Sequence, residues 1–189
     1  MNTFVCFGDS ITADETFWNG ARRLTPRLQE QFPEWKVVNA GVPGDDTLDA
    51  LRRIEEDVLS LKPDFVTVFF GTNDAAFHKQ VPKEKYKENV TKIVRSISPE
   101  KVLLISPAPV DEERQHARTN EVLKQYAKVM EEVAKETKSH FLDLHSLMIQ
   151  ESNYKRFLEN EERDGLHFSE QGYEYLATII GDTLKGIFK

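Results

Sequence analysis

The chain holds a single cysteine, Cys6, among 189 residues. No internal disulfide can form, and no Cys/His cluster has zinc spacing, which points to a reducing compartment. Long apolar runs are missing as well, since nothing approaches the ~20 residues that cross a bilayer. No positive cluster precedes the short apolar run Phe4–Phe7, so no signal peptide is expected and the predicted location is cytoplasmic. Positive charge is not in excess either. With 25 Lys+Arg against 32 Asp+Glu the formal net charge is −7, whereas a nucleic-acid partner calls for a basic footprint. Charges are spread rather than blocked, and neither linker, repeat nor low-complexity stretch interrupts the chain. The length fits one domain over residues 1–189, large enough to bury a full core.

What is present is an alternation. Thr3–Phe7, Trp35–Asn39, Phe65–Phe70, Lys101–Ser106 and Ser139–Asp143 are short and rich in Val, Phe, Ile and Leu, as strands are. The run Phe65–Phe70 is apolar on both faces, which suits a sheet covered on both sides. Helical patterns lie between the runs. Thr25-Pro26 reads as an N-cap and first-turn pair, with Leu24, Leu28 and Phe32 at intervals of four. Leu48, Leu51, Ile54, Val58 and Leu61 make a stripe closed by Pro63, and Tyr86, Val90, Ile93 and Ile97 make one closed by Pro99. Leu123, Tyr126, Met130 and Val133 form a third. Ser169 can cap a last helix whose buried face is Tyr173, Leu176, Ile180, Leu184 and Ile187. The alternation predicts an α/β fold, a three-layer α/β/α sandwich around a five-stranded parallel sheet. Pro107–His116 and Glu159–Arg163 read as surface connections.

In such sheets ligands bind beyond the carboxyl ends of the strands. Gly8-Asp9-Ser10-Ile11-Thr12 follows the first strand, Asn39 to Thr47 the second, and Gly71-Thr72-Asn73-Asp74 the third, while Asp164-Gly165-Leu166-His167 precedes the last helix. Each has a plain structural reading: Ser10 as a helix cap, the glycines as turn residues, Asn73-Asp74 as a cap pair. Together they supply the parts of an acyl-transfer site. A serine hydroxyl needs a base to take its proton, and His167 suits that task. Asp164 can orient the imidazole and stabilise the imidazolium. Candidate oxyanion donors are the Ser10 and Gly44 backbone N–H groups and the Asn73 side-chain amide. The order Ser, Asp, His matches α/β-hydrolases, but Thr12 stands where their G-x-S-x-G elbow has glycine, which disfavours that fold.

These blocks resemble the GDSL (SGNH) hydrolases, serine esterases and lipases built on a flavodoxin-like sheet. Gly8 to Thr12 is similar to the nucleophile block, Asn39 to Gly44 to the second, Gly71-Thr72-Asn73-Asp74 to the G-x-N-D block, and Asp164 to His167 to D-x-x-H. Ile11 stands where the family name has leucine. The resemblance implies a nucleophile at Ser10, an acyl-enzyme, and water activated through His167. It implies an oxyanion hole from Ser10, Gly44 and Asn73, with Gly41 the lesser glycine. Family substrates include simple esters, lysophospholipids, thioesters and acetylated sugars, so the expected partner is a small-molecule ester and no cofactor is called for.

His145 follows a strand and is the most credible rival base, read as structural because no carboxylate block surrounds it. His78 and His116 read as solvated loop residues, and Cys6 as a buried hydrophobe. Asp9, Asp45, Asp46 and Asp74 near strand ends admit a metal-dependent phosphohydrolase as the alternative, since Mg²⁺ prefers carboxylate oxygens. Their plain reading is helix N-termini. A non-catalytic binding module on the same fold is the remaining alternative.

Overall fold

The structure, a computed structural model, describes residues 1–189. Strands β1 (Asn2–Gly8), β2 (Trp35–Gly41), β3 (Phe65–Phe69), β4 (Val102–Ile105) and β5 (His140–Leu142) form one parallel sheet in the order β2-β1-β3-β4-β5. Each strand falls on one of the apolar runs read from the sequence. The helices are α1 (Leu24–Gln31), α2 (Thr47–Asp57), α3 (Lys83–Ile97), α4 (Asn120–Thr137), α5 (Leu144–Gln150) and α6 (Glu170–Ile187).

Side chains alternate across a strand, so each strand feeds two cores. Val5, Phe7, Val66, Val68 and Leu104 pack with Ile54, Val90 and Met130 of α2, α3 and α4. Phe4, Cys6, Phe65, Phe69, Leu103 and Ile105 pack on the opposite face with residues of α1, α5 and α6, among them Leu28, Met148 and Tyr173. This is the expected α/β/α arrangement. The strand order reverses at β1, which has β2 on one side and β3 on the other. A crevice opens at such a reversal, and Ser10 lies just beyond β1 there.

Several local expectations need correction. Thr25 does not cap α1: Arg23 holds that position without a side-chain cap bond, and the Thr25 hydroxyl instead accepts from the Asn39 amide at 2.7 Å. The α2 stripe is rotated, because Asp46 starts the helix with a capping box and buries Thr47, Ala50 and Ile54, while Leu48 faces solvent. Asn73-Asp74 is not a cap pair either, since the next helix begins at Lys83. The loop Pro107–His116 is only half a surface connection. Ala108, Val110 and Asp111 are buried, and the Asp111 N–H donates to the Gly165 carbonyl at 2.8 Å. The helices Tyr86–Ile97 and Leu123–Val133 bury the stripes read for them, and Ser169 caps α6.

Two glycines at the end of β2 are needed for different reasons. A Cβ on Gly41 would sit 2.3 Å from the Ala13 backbone nitrogen, so this glycine lets β2 close against the turn after β1. Gly44 has open space around it but a φ of +82°. Gly41→Ala should lower the unfolding free energy by about 3 kcal/mol through overpacking against backbone. Gly44→Ala should cost about 1 kcal/mol through left-handed strain. Urea denaturation of both variants checks the order, and a Gly44→Ala loss larger than that of Gly41→Ala refutes it.

Candidate active site

The turn after β1 is held from all sides. The Asp9 carbonyl accepts from the N–H groups of Thr12 and Ala13, and Asp9 Oδ1 accepts from the Ile11 N–H at 3.0 Å. Arg53 reaches from α2 to donate to the carbonyls of Gly8 and Ala40, each at 2.9 Å. Its guanidinium lies 4.6 Å over the Phe7 ring and pairs with Asp45 and Asp57. On the other side Arg23 donates to the Ser10 carbonyl at 2.7 Å, is bonded to the Tyr173 hydroxyl and pairs with Asp14. Tyr173 in turn donates to the Ile11 carbonyl at 2.8 Å. Sequence reasoning missed both arginines, because their partners lie far off in the chain.

The turn presents the Ser10 hydroxyl to His167. Ser10 Oγ is 2.9 Å from His167 Nε2, and His167 Nδ1 is 2.5 Å from Asp164 Oδ2. Asp164 Oδ1 accepts the backbone N–H groups of Leu166 and His167, which fixes the carboxylate within its own turn. Burial raises the Asp164 carboxyl, but these bonds from the His167 ring and the two N–H groups outweigh it and hold the group well below the usual carboxylate range. The same bond from Asp164 raises His167 above its ordinary value against the opposing effect of burial. Glu162 Oε2 adds a second carboxylate 3.7 Å from Nδ1. With its Nδ1–H held by ionised Asp164, the neutral ring offers Nε2 as acceptor to the serine hydroxyl.

The proposed oxyanion donors lie on the turns that follow β1, β2 and β3. The backbone N–H groups of Ser10 and Gly44 donate to no protein acceptor. Asn73 Nδ2 donates to the Asp45 carbonyl at 2.9 Å, which fixes the amide plane, and makes a longer 3.3 Å contact with Asp9 Oδ2.

The other candidates are used locally. Asp46 caps α2, and Asp45 is bound by Arg53. Buried Asp74 accepts from the Thr47 N–H and hydroxyl, with burial pushing it up to about 7 against those bonds. Burial likewise raises Asp9 to about 6, opposed by the Ile11 N–H and by the positive charge of His167 and Arg118. The four carboxylates that suggested a divalent metal are thus each engaged by the protein's own donors. His145 is 5% exposed in α5, its backbone N–H donates to Ser106 Oγ, and burial lowers its imidazole. His78 and His116 are exposed. Cys6 is buried in the sheet, with its thiol pushed up to about 12 by burial, which removes thiolate reactivity.

A cleft of about 400 Å³ opens beside Ser10 and His167, walled by Phe17, Trp18, Pro43 and Glu162. Trp18 is 81% exposed on a segment closed by the Thr16–Arg22 bridge. This segment supplies two of those wall residues, Phe17 and Trp18. No helix is long and apolar enough to cross a membrane.

Residues 6–175 match the GDSL-like Lipase/Acylhydrolase family. The crystal structure of a lipase/acylhydrolase from Enterococcus faecalis superposes with a TM-score of 0.89 and 35% identity, covering 98% of this chain and 96% of that one. The human isoamyl acetate-hydrolyzing esterase 1 homolog is 33% identical over 92% of this chain and 77% of its own length. A catalytic mutant of an acetylxylan esterase from Geobacillus stearothermophilus superposes at a TM-score of 0.79 with 25% identity, over 97% of this chain and 94% of that one. The chain belongs to the GDSL-like lipase/acylhydrolase family and is a carboxylic ester hydrolase.

Proposed function

We propose that the enzyme cleaves esters of small acyl groups through an acyl-enzyme on Ser10. The observation that carries this reading is the unbroken chain Ser10 Oγ, His167 ring, Asp164 carboxylate at 2.9 and 2.5 Å, beside two unpartnered N–H groups. His167 takes the Ser10 proton as Oγ attacks the ester carbonyl, and Asp164 stabilises the imidazolium. The N–H groups of Ser10 and Gly44 and the Asn73 amide receive the oxyanion. His167 then protonates the leaving alcohol, and a water activated by the same imidazole releases the acid. Acetyl esters are the first substrates to test, because relatives are named for isoamyl acetate and for acetylxylan.

Ser10→Ala should abolish hydrolysis of p-nitrophenyl acetate without altering thermal stability, and His167→Ala should be about as damaging, because the group acts as a unit. A single fluorophosphonate adduct should map to Ser10; one on Cys6, Ser106 or Ser169 refutes the assignment. Rates should fall from acetate and butyrate to long-chain esters measured below micelle formation, and the reverse order overturns the small-acyl reading.

The pH profile carries its own sign. The base works only when neutral, and Asp164 raises its pKa, so kcat/KM should fall as pH drops through a midpoint above the ordinary 6.5 of histidine. Asp164→Asn removes the main cause of that rise, so its acidic limb should move to lower pH while a reduced rate persists. An unmoved limb would show that Asp164 does not set the imidazole.

Asn73→Ala should lower kcat by about 10²–10³ with a smaller change in KM, as expected for a donor used mainly in the transition state. Asn73→Asp should be at least as damaging, because it turns an acceptor toward the Asp45 carbonyl, Asp9 and the developing oxyanion. Near-full kcat in Asn73→Asp with an unchanged melting temperature removes the oxyanion role.

A further inference from the structure

Arg118 carries a guanidinium that no protein acceptor engages. Its side chain is 4% exposed, Nε is sealed from solvent without an acceptor, and no hydrogen bond or ion pair reaches the guanidinium. The terminal nitrogens, equally without a protein acceptor, keep some contact with solvent. A buried cation is strongly unfavourable unless paired, and guanidinium offers five donors in a planar fork.

The position of Arg118 is fixed by its neighbours. The Ala117 carbonyl accepts the Phe77 N–H at 2.7 Å, just past the turn that carries Asn73. Gln115 donates to the Asp164 carbonyl, and Thr119 caps α4. Arg118 is therefore held between the Asn73 loop and the Asp164 loop. The charges of Asp9 and Asp164 act on it, but both carboxylates are already taken, Asp9 by Ile11 and Asn73, Asp164 by His167 and Leu166.

The two halves of an ester can be assigned to two sides of Ser10. The cleft beside His167 is lined by residues from 10–23, 43 and 160–168, and by none from the segment that carries Arg118. His167 must hand its proton to the leaving oxygen, so the alcohol leaves through that cleft. The acyl group then points away from it, to the side where residues 115–119 pack against the Asn73 and Asp164 loops. We propose that Arg118 is a specificity-determining residue that binds a carboxylate at the far end of the acyl group, so that monoesters of short dicarboxylic acids are preferred substrates. This rests on the serine-esterase reading of Ser10. The guanidinium fork matches a carboxylate in bidentate geometry, and an apolar acyl tail would instead be buried against an unpaired charge.

The test compares monoethyl succinate with ethyl isocaproate, in which an isopropyl group replaces the carboxylate at nearly the same shape. Wild-type kcat/KM should favour monoethyl succinate by about tenfold or more, a ratio that needs no variant to read. In Arg118→Met that ratio should collapse toward one, mainly through a higher KM for the succinate ester, and Arg118→Lys should restore part of it. A merely structural role would lower both rates together and leave the ratio unchanged. That outcome, or a wild-type preference for the isocaproate, overturns the proposal. p-Nitrophenyl acetate separates the two readings: hydrolysis of acetate without a succinate preference overturns only the role of Arg118, whereas no hydrolysis of acetate overturns the serine-esterase reading and this inference with it.

Discussion

A parallel sheet ends in a row of carbonyls and turns that no further strand can satisfy, and the turn after β1 has the hardest position. It lies where the strand order reverses, with β2 and β3 on either side. Its backbone must leave the sheet, expose one hydroxyl and stay fixed. Two arginines supply the missing donors. Arg53 bonds the carbonyl of Gly8 before the turn and Arg23 that of Ser10 within it, while Asp9 folds its own carboxylate back on Ile11. Arg53 also bonds Ala40 and Asp45, so a single guanidinium ties the end of β1 to the segment that carries Gly44. The relative placement of Ser10 and Gly44 follows from that tie. Asn73 joins the same network through the Asp45 carbonyl.

The electrostatics of the crevice follow from which groups this network consumes. Asp45 is taken by Arg53, Asp46 by the first turn of α2 and Asp74 by Thr47. Asp9, buried and raised to about 6, holds its charge less firmly than an exposed aspartate. Asp164 alone keeps its ionised carboxylate directed at an imidazole, because two backbone N–H groups and the ring itself favour the charged form. The carboxylates look alike in the sequence, and local donors give them different tasks.

The sequence was legible where function is contiguous. Ser10 with its flanking residues, Asn73 with Gly71, and the pair Asp164–His167 lie within short turns, so their spacing exposes them. Strands were equally legible, because burial on both faces leaves unbroken apolar runs. Helix α5 escaped notice because it is seven residues long and leaves Leu147 and Ile149 partly exposed, which erases any clean stripe. Thr25 was misread because its hydroxyl serves the distant Asn39 rather than the helix end beside it. Arg23, Arg53 and Arg118 gave no signal. Arg23 meets Tyr173 across 150 positions and Arg53 meets Gly8 across 45. A lone arginine in a helix or loop looks like any solvated cation until the fold brings its partner, or shows that it has none.

That last difference orders the three arginines. Arg53 and Arg23 divide their donors between backbone carbonyls and side-chain acceptors, so each charge is paired while it fixes the turn. Arg118 is buried more deeply than a solvated cation tolerates and spends nothing on the protein. The chain could have removed this cost with an apolar residue of similar volume, as replacements of buried ion pairs show. Keeping a guanidinium there is favourable only if its donors meet an acceptor at some stage of the reaction cycle. On the reading proposed above, a substrate oxygen meets that need during turnover. With the ester's alcohol assigned to the opposite cleft, the acyl group is the part proposed to supply that oxygen.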